Sequence, residues 1–147
     1  MFRHLLVPID GSSLSDGAVR KAVSFAGEAD AKITFFYATP DTGSSIYGEE
    51  ELLRTIDPQE YQARRAQIAR EVLERAAKVA ADGRVDAQVR SRPAQEPWEA
   101  IIATAEECGC DLILMASHGH RGIKGLLLGS QTQKVLLHSK FPVLVYR

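Results

Sequence analysis

The chain has 147 residues, of which 18 are Lys or Arg and 19 are Asp or Glu, so its formal net charge is −1. This balance argues against the basic surface with which proteins bind nucleic acids or anionic membranes. Hydrophobic residues make up 45% and charged residues 25%, which is ordinary for a globular protein, and the length predicts one domain over residues 1–147. No apolar run approaches the ~18 residues that span a bilayer, and no signal-peptide core follows Met1. We therefore expect a cytoplasmic protein with no membrane or nucleic-acid partner.

The first 38 residues predict a strand, a helix and a second strand. Leu5–Ile9 is a short, continuous apolar run, as in a strand that is buried on both faces. Asp10–Ser13 breaks this run and offers side chains that can cap a helix, after which apolar residues recur at helical spacing as far as Ala29. Ile33–Ala38 is rich in β-branched and aromatic residues, which favours a strand.

The middle of the chain is less regular. Thr39–Asp57 holds Pro, Gly and Ser among acidic residues, and we expect a long surface excursion with a helical turn near Glu50–Arg54. Asp57 and Pro58 fit the N-cap and the first position of a helix that follows. Asp86–Ser91 alternates between apolar and polar residues, as in a half-exposed strand.

The last third of the chain continues the alternation of helices and strands. We predict helices over Pro97–Glu107 and Ser130–His138, and strands over Asp111–Ala116 and Val143–Tyr146. The order β-α-β-α-β-α-β-α-β implies a mostly parallel sheet with helices on both faces. Ligands of such sheets bind beyond the carboxyl ends of the strands, where the strand order reverses. Asp10 and the loop after the fourth strand share that position if the first and fourth strands are neighbours.

The most informative stretch is Met115–Ser130, with the sequence MASHGHRGIKGLLLGS. An apolar strand ends there, four glycines follow, and a hydroxyl residue opens a helix. Glycines let backbone N–H groups approach an anion, and the N–H groups at a helix start carry partial positive charge. The stretch therefore predicts a phosphate cradle. It is not a P-loop, because Lys124 is followed by Gly125 rather than by Ser or Thr, and neither the dinucleotide fingerprint nor a G-x-S-x-G elbow occurs.

Three segments resemble the universal stress protein family: the opening LLVPIDGS, the closing FPVLVYR and the glycine loop. The resemblance covers the whole chain and implies a doubly wound α/β fold, related to the adenine-nucleotide α-hydrolases, with a five-stranded parallel sheet in the order 3-2-1-4-5. ATP-binding members carry Gly, two residues, Gly, nine residues, Gly, and then Ser or Thr. Gly119, Gly129 and Ser130 fit this spacing, whereas Ala116 stands where the first glycine belongs.

The resemblance also implies a ligand and its contacts. The ligand is ATP, with ADP and AMP as alternatives and Mg²⁺ as a counter-ion, and no permanently bound metal is expected. Asp10 is placed on the ribose hydroxyls, Pro8 shapes the same turn, and Ala38 lies where backbone groups meet the adenine. The other implied binding residues surround the ribose and the phosphates: Met115, Ala116, Gly119, Arg121, Gly129, Ser130 and Gln131.

Simpler structural roles compete with several of these assignments. Asp10 and Ser130 are both suited to capping helices, and Arg121 fits an exposed loop equally well. His118 and His120 lie two residues apart, but no cysteine or carboxylate cluster beside them supports a metal site.

Three hypotheses about function remain open. The first is a nucleotide-binding stress-response or signalling protein that is not an enzyme. The second is a slow ATP hydrolase, or a protein that phosphorylates itself at Ser130; the lack of paired carboxylates for Mg²⁺, and of a general base other than Asp10, argues against it. The third is a nucleotide-free dimeric interaction module, which the alanine at position 116 favours.

The resemblance also implies a homodimer. In the family's strand order Val143–Tyr146 lies at an edge of the sheet, and this strand is apolar and carries no charged residue that would discourage pairing with another strand. We therefore expect a homodimer through this strand; other protein partners are unknown.

Overall fold

The computed structural model describes residues 1–40, 49–118 and 128–147. Within these ranges, five parallel strands form one sheet: β1 (His4–Pro8), β2 (Lys32–Pro40), β3 (Ala87–Ala94), β4 (Leu112–Ala116) and β5 (Val143–Tyr146). Their spatial order is β3-β2-β1-β4-β5, which confirms the predicted doubly wound α/β sheet. Because β1 lies between β2 and β4, the strand order reverses beside β1.

Five helices lie within the same described ranges: α1 (Ser13–Ala29), α2 (Glu49–Ile56), α3 (Pro58–Asp82), α4 (Pro97–Cys108) and α5 (Ser130–His138). Helices α1 and α3 cover one face of the sheet, and α4 and α5 cover the other. Leu5 and Val7 of β1 belong to the first core and Leu6 to the second, because successive side chains of a strand point to opposite faces. None of the helices described is long and apolar enough to cross a membrane.

Three elements end two or three residues beyond the sequence-based expectation. Strands β2 and β3 continue to Pro40 and Ala94, because the two strands pair in register along their whole shared length. Pro93 is tolerated within β3 because this strand lies at an edge of the sheet. The helical turn expected near Glu50–Arg54 is the eight-residue helix α2. A helix this short is unstable alone, and it is stabilised by its contact with α3.

Two predicted helix starts are confirmed. Ser12 Oγ accepts a hydrogen bond from Ser15 N at 3.2 Å and caps α1. Asp57 Oδ1 accepts from Glu60 N at 3.0 Å, with Pro58 in the first turn of α3. Both caps satisfy N–H groups that have no acceptor within their own helix.

A buried polar cluster joins the first three strands. His4 Nε2 lies 2.7 Å from Thr34 Oγ1, which also accepts a hydrogen bond from Gln88 Nε2 at 2.9 Å. Burial lowers the pKa of His4 from its ordinary value of 6.5, and the positive charge of Lys32 lowers it further. The imidazole is therefore neutral at neutral pH.

Candidate functional site

A cleft opens at the carboxyl ends of β1, β2 and β4, beside the first turns of α4 and α5. Its volume is about 200 Å³. The cleft lies where the strand order reverses, which is the position at which ligands bind to doubly wound sheets.

Six of the ten predicted site residues line this cleft: Pro8, Asp10, Ala38, Met115, Ala116 and Gln131. Gly129 and Ser130 adjoin it at the start of α5. Gly119 and Arg121 lie outside the described residues. The fold thus brings together residues from the first, second and fourth strand ends with the start of the last helix.

Asp10 lies in the turn between β1 and α1, where its side chain and its backbone N–H each form a hydrogen bond. Its Oδ1 accepts from Ser12 N at 2.9 Å, and its backbone N donates to Ser15 Oγ at 3.2 Å. The next residue, Gly11, has a φ of 82°, and a Cβ there would lie 3.0 Å from Val72 Cγ2 of α3. The alternative in which Asp10 caps α1 is wrong, because Ser12 is the N-cap. The turn instead holds the Asp10 side chain at the wall of the cleft.

Among the residues that the structure describes, no side-chain hydrogen bond caps the start of α5. Gly129 is the N-cap residue, and Gln133 N, which bonds Gly129 O at 3.0 Å, is the first N–H with an acceptor inside the helix. Ser130 is therefore the first helical residue rather than the cap, and it is exposed. The N–H groups of the first turn carry partial positive charge, and no acidic side chain lies in that turn to neutralise it.

Gly129 also brings α5 close to the end of β4. Its N–H donates to Ser117 O at 2.6 Å. A Cβ on Gly129 would lie 3.2 Å from the Cα and Cβ of His118, which is tighter than ordinary van der Waals contact. Glycine favours this close approach. The backbone conformation does not call for glycine, since a φ of −71° is one that any residue adopts.

Ala116 lines the cleft chiefly through its backbone. Its carbonyl oxygen accepts a hydrogen bond from Thr132 Oγ1 at 3.1 Å. Its side chain packs against the core under α1 and α3, near Tyr146, whereas Met115 belongs to the core on the other face. The methyl group that distinguishes Ala116 from glycine is therefore directed away from the side of the sheet that holds α4, α5 and most of the cleft lining.

Sequence reasoning missed the remaining seven lining residues: Ile9, Ser15, Phe36, Pro97, Ile101, His118 and Thr132. Most are apolar or buried and carry no chemical signature in the sequence. Thr132 could have been found, because it lies in the first turn of the same helix as Ser130. Pro97 could also have been found, since it opens a helix directly after the third strand, at the same edge of the sheet.

The cleft combines three kinds of surface. Phe36, Ile101 and Met115 are buried apolar side chains, Asp10 supplies a carboxylate, and α5 supplies N–H groups. This combination suits a ligand with a flat apolar ring, neighbouring hydroxyl groups and an anionic group. Among the residues that the structure describes, no group of three or more His, Cys, Asp or Glu side chains is arranged to hold a metal ion.

The family model described as the universal stress protein family matches residues 1–147. The universal stress protein YxiE of Bacillus subtilis is 32% identical to the chain over 157 aligned positions that cover 100% of both proteins. The solved structure of MJ0577 from Methanocaldococcus jannaschii has a TM-score of 0.83 at 26% identity, covering 99% of this chain and 96% of that one. A universal stress protein solved in complex with cAMP has a TM-score of 0.67 at 24% identity, covering 99% and 97%. The chain therefore belongs to the universal stress protein family.

Proposed function

We propose that this protein binds ATP, or the related nucleotides ADP and AMP, in the cleft and acts as a nucleotide-dependent stress-response or signalling protein. The observation that carries the proposal is that α5 starts beside the cleft that Asp10 lines, at Gly129, a residue with no side chain to cap the helix. An uncapped helix N-terminus favours phosphate groups, and a carboxylate accepts hydrogen bonds from ribose hydroxyls.

The other walls of the cleft support an adenine base. Phe36, Ile101 and Met115 are apolar and buried, so they favour a flat ring over a charged group. The solved family member in complex with cAMP, an adenine nucleotide, has the same fold. Mg²⁺ would enter as the counter-ion of the phosphates rather than as a resident metal.

The proposal is one of binding rather than of catalysis. Asp10 and His118 are the titratable side chains among the described lining residues. The proposed role of Asp10 is to hold the ribose, and His118 Nδ1 is 3.1 Å from the hydroxyl of its neighbour Ser117. Sustained phosphate release above the buffer rate would favour the alternative of a slow ATP hydrolase, and phosphate incorporated at Ser130 would favour self-phosphorylation.

We also propose that the protein acts as a homodimer through β5. Among the described strands, β5 pairs with β4 alone, so its outer edge has no partner within the chain. Leu144 of β5, and Leu136 and Leu137 of α5, the helix that contacts β5, are exposed apolar residues. A second copy would cover an apolar edge that is otherwise open to unwanted pairing.

The decisive experiment combines mass spectrometry with titration calorimetry. Nucleotide released from the denatured, purified protein identifies the natural ligand, and ATP is then titrated into the emptied protein. Asp10→Asn keeps an oxygen for Ser12 N but removes the charge, so ATP affinity should fall roughly tenfold. Asp16→Asn, the same change in the first turn of α1 but away from the cleft lining, should leave affinity unchanged. Absence of ATP binding by the wild-type protein would favour the nucleotide-free interaction module.

A further inference from the structure

The start of α4 is capped by a side chain of α5 rather than by the residue before it. Glu96 precedes α4 but makes no side-chain capping bond. Trp98 N, in the first turn of α4, instead donates to Gln131 Oε1 at 3.0 Å. Gln131 thus supplies the acceptor that an N-cap residue normally supplies.

Further contacts between the two helices come from the same side of α5. Gln131, Lys134 and His138 follow one another at spacings of three and four residues, which places them on one helix face. Lys134 Nζ lies 3.1 Å from Glu96 Oε2. The His138 ring stacks on the Trp98 ring, with centroids 4.5 Å apart and planes 26° apart. Of the three α5 residues, Gln131 is the one that lines the cleft.

Gln131 therefore joins two walls of the cleft. Pro97 and Ile101 line it from α4, and Gln131 and Thr132 line it from α5. We infer that Gln131 is a positioning residue, whose side-chain oxygen fixes the start of α4 against α5 and so keeps the cleft preformed. This inference rests on the proposed function for the identity of the ligand. It adds that Gln131 holds the α4 wall of the cleft in place before the ligand binds.

The consequence for binding follows from the loss of the cap. Without the Gln131 oxygen, Trp98 N–H loses the acceptor that it has in the structure, and we expect the first turn of α4 to fray in the empty protein. A ligand then binds the fraction of molecules in which α4 is docked, and the apparent Kd rises by the inverse of that fraction. The strength of an ordinary cap sets the upper limit of this change at roughly two- to thirtyfold.

Two substitutions separate positioning from direct contact with the ligand. Gln131→Met keeps the length of the side chain but removes the acceptor, whereas Gln131→Glu keeps the acceptor and adds a negative charge. In the ligand-free protein, hydrogen exchange of the Trp98 amide should become fast in Gln131→Met and stay slower in Gln131→Glu, whose carboxylate still accepts the bond although it lies beside Glu96. Gln133→Met, the same change on the exposed side of α5, is the control and should leave this amide protected.

Affinities for adenosine and for ATP complete the test. Gln131→Met should weaken both by the same factor, because the α4 wall serves the nucleoside part of either ligand. Gln131→Glu should weaken ATP binding more than adenosine binding, because the added charge repels the phosphates. The inference is overturned if the Trp98 amide exchanges equally fast in wild type and Gln131→Met, or if Gln131→Met weakens ATP binding alone. Failure of the wild-type protein to bind either ligand would refute the proposed function, while the exchange data would still decide whether Gln131 holds α4.

Discussion

Thr132 Oγ1 donates a hydrogen bond to the carbonyl oxygen of Ala116 across 3.1 Å, which ties the first turn of α5 to the last residue of β4. Thr132 is buried, so this bond is shielded from water. Position 116 contributes its backbone to the contact, which any residue can supply, while the Ala116 methyl group packs on the core of the opposite face. The hydrogen bond between β4 and α5 therefore forms equally well with alanine at position 116 as with the glycine of the family pattern.

Ala116→Gly should therefore leave nucleotide affinity unchanged or slightly stronger. The free energy of unfolding should fall by roughly 0.5–1 kcal/mol, because glycine loses more backbone entropy on folding. Calorimetry and urea unfolding measure the two quantities, and Ala87→Gly in β3 is the matched change in a strand away from the cleft. Loss of binding in a well-folded Ala116→Gly protein would mean that the family's glycine pattern has been aligned wrongly with Gly129 and Ser130.

Gly129→Val should weaken ATP binding roughly tenfold or more, as expected when hydrogen bonds to a charged group are lost. A Cβ at this position lies 3.2 Å from His118 Cα, and the branched side chain would push the start of α5 away from β4. Gly27→Val is the control, because a Cβ there lies 3.8 Å from Val85 Cγ2 in ordinary contact. Wild-type ATP affinity in a folded Gly129→Val protein would show that the phosphates do not meet the start of α5.

Stability should decrease in mildly acidic solution because of His4. Burial lowers the pKa of this imidazole below its ordinary value of 6.5, so the unfolded chain binds the proton more tightly than the folded one. The contribution of His4 to stability is complete above pH 6.5 and is lost as the pH falls through its folded pKa. Urea unfolding of wild type and His4→Gln across this range isolates the effect, since glutamine can still bond Thr34 but does not titrate. Equal slopes for the two proteins would contradict this assignment.

The outer edge of β5 offers a sharp test of the dimer. Pro142 O and Tyr146 O accept hydrogen bonds from Ile113 N of β4 and from Ser117 N, directly after β4. Backbone groups of successive residues point to opposite edges of a strand, so the N–H of Val145 faces outward. Val145→Pro should therefore remove a donor from the dimer interface while leaving the pairing with β4 in place.

Light scattering should report twice the 16.1 kDa chain mass for wild type and a monomer for Val145→Pro. Circular dichroism of the variant serves as the control for folding. A wild-type monomer at micromolar concentration would rule out β5 as a stable interface.

Local patterns were sufficient for most of the elements. The apolar run of β1, a cap for α1 within Asp10–Ser13 and the Asp57-Pro58 start of α3 are each encoded within a few neighbouring residues, so they could be predicted one by one. The glycine spacing around Gly129 likewise located the start of α5. The same patterns misjudged α2 and the length of β3, because contacts with α3 and with β2 stabilise those residues.

The sequence by itself thus determined the order of strands and helices along the chain and several of the polar residues that mark the cleft, while the strand order that places the cleft at the sheet reversal was implied by the family resemblance. Only the tertiary structure decided which side chain forms a hydrogen bond with which helix start. Ser12 rather than Asp10 caps α1, and Gln131 caps a helix whose first turn lies 33 residues earlier in the chain. The physical reason is that a sequence pattern reports periodicity and the tendency to cap a helix over a few neighbouring residues. The partner that a side chain finds depends on how distant elements pack.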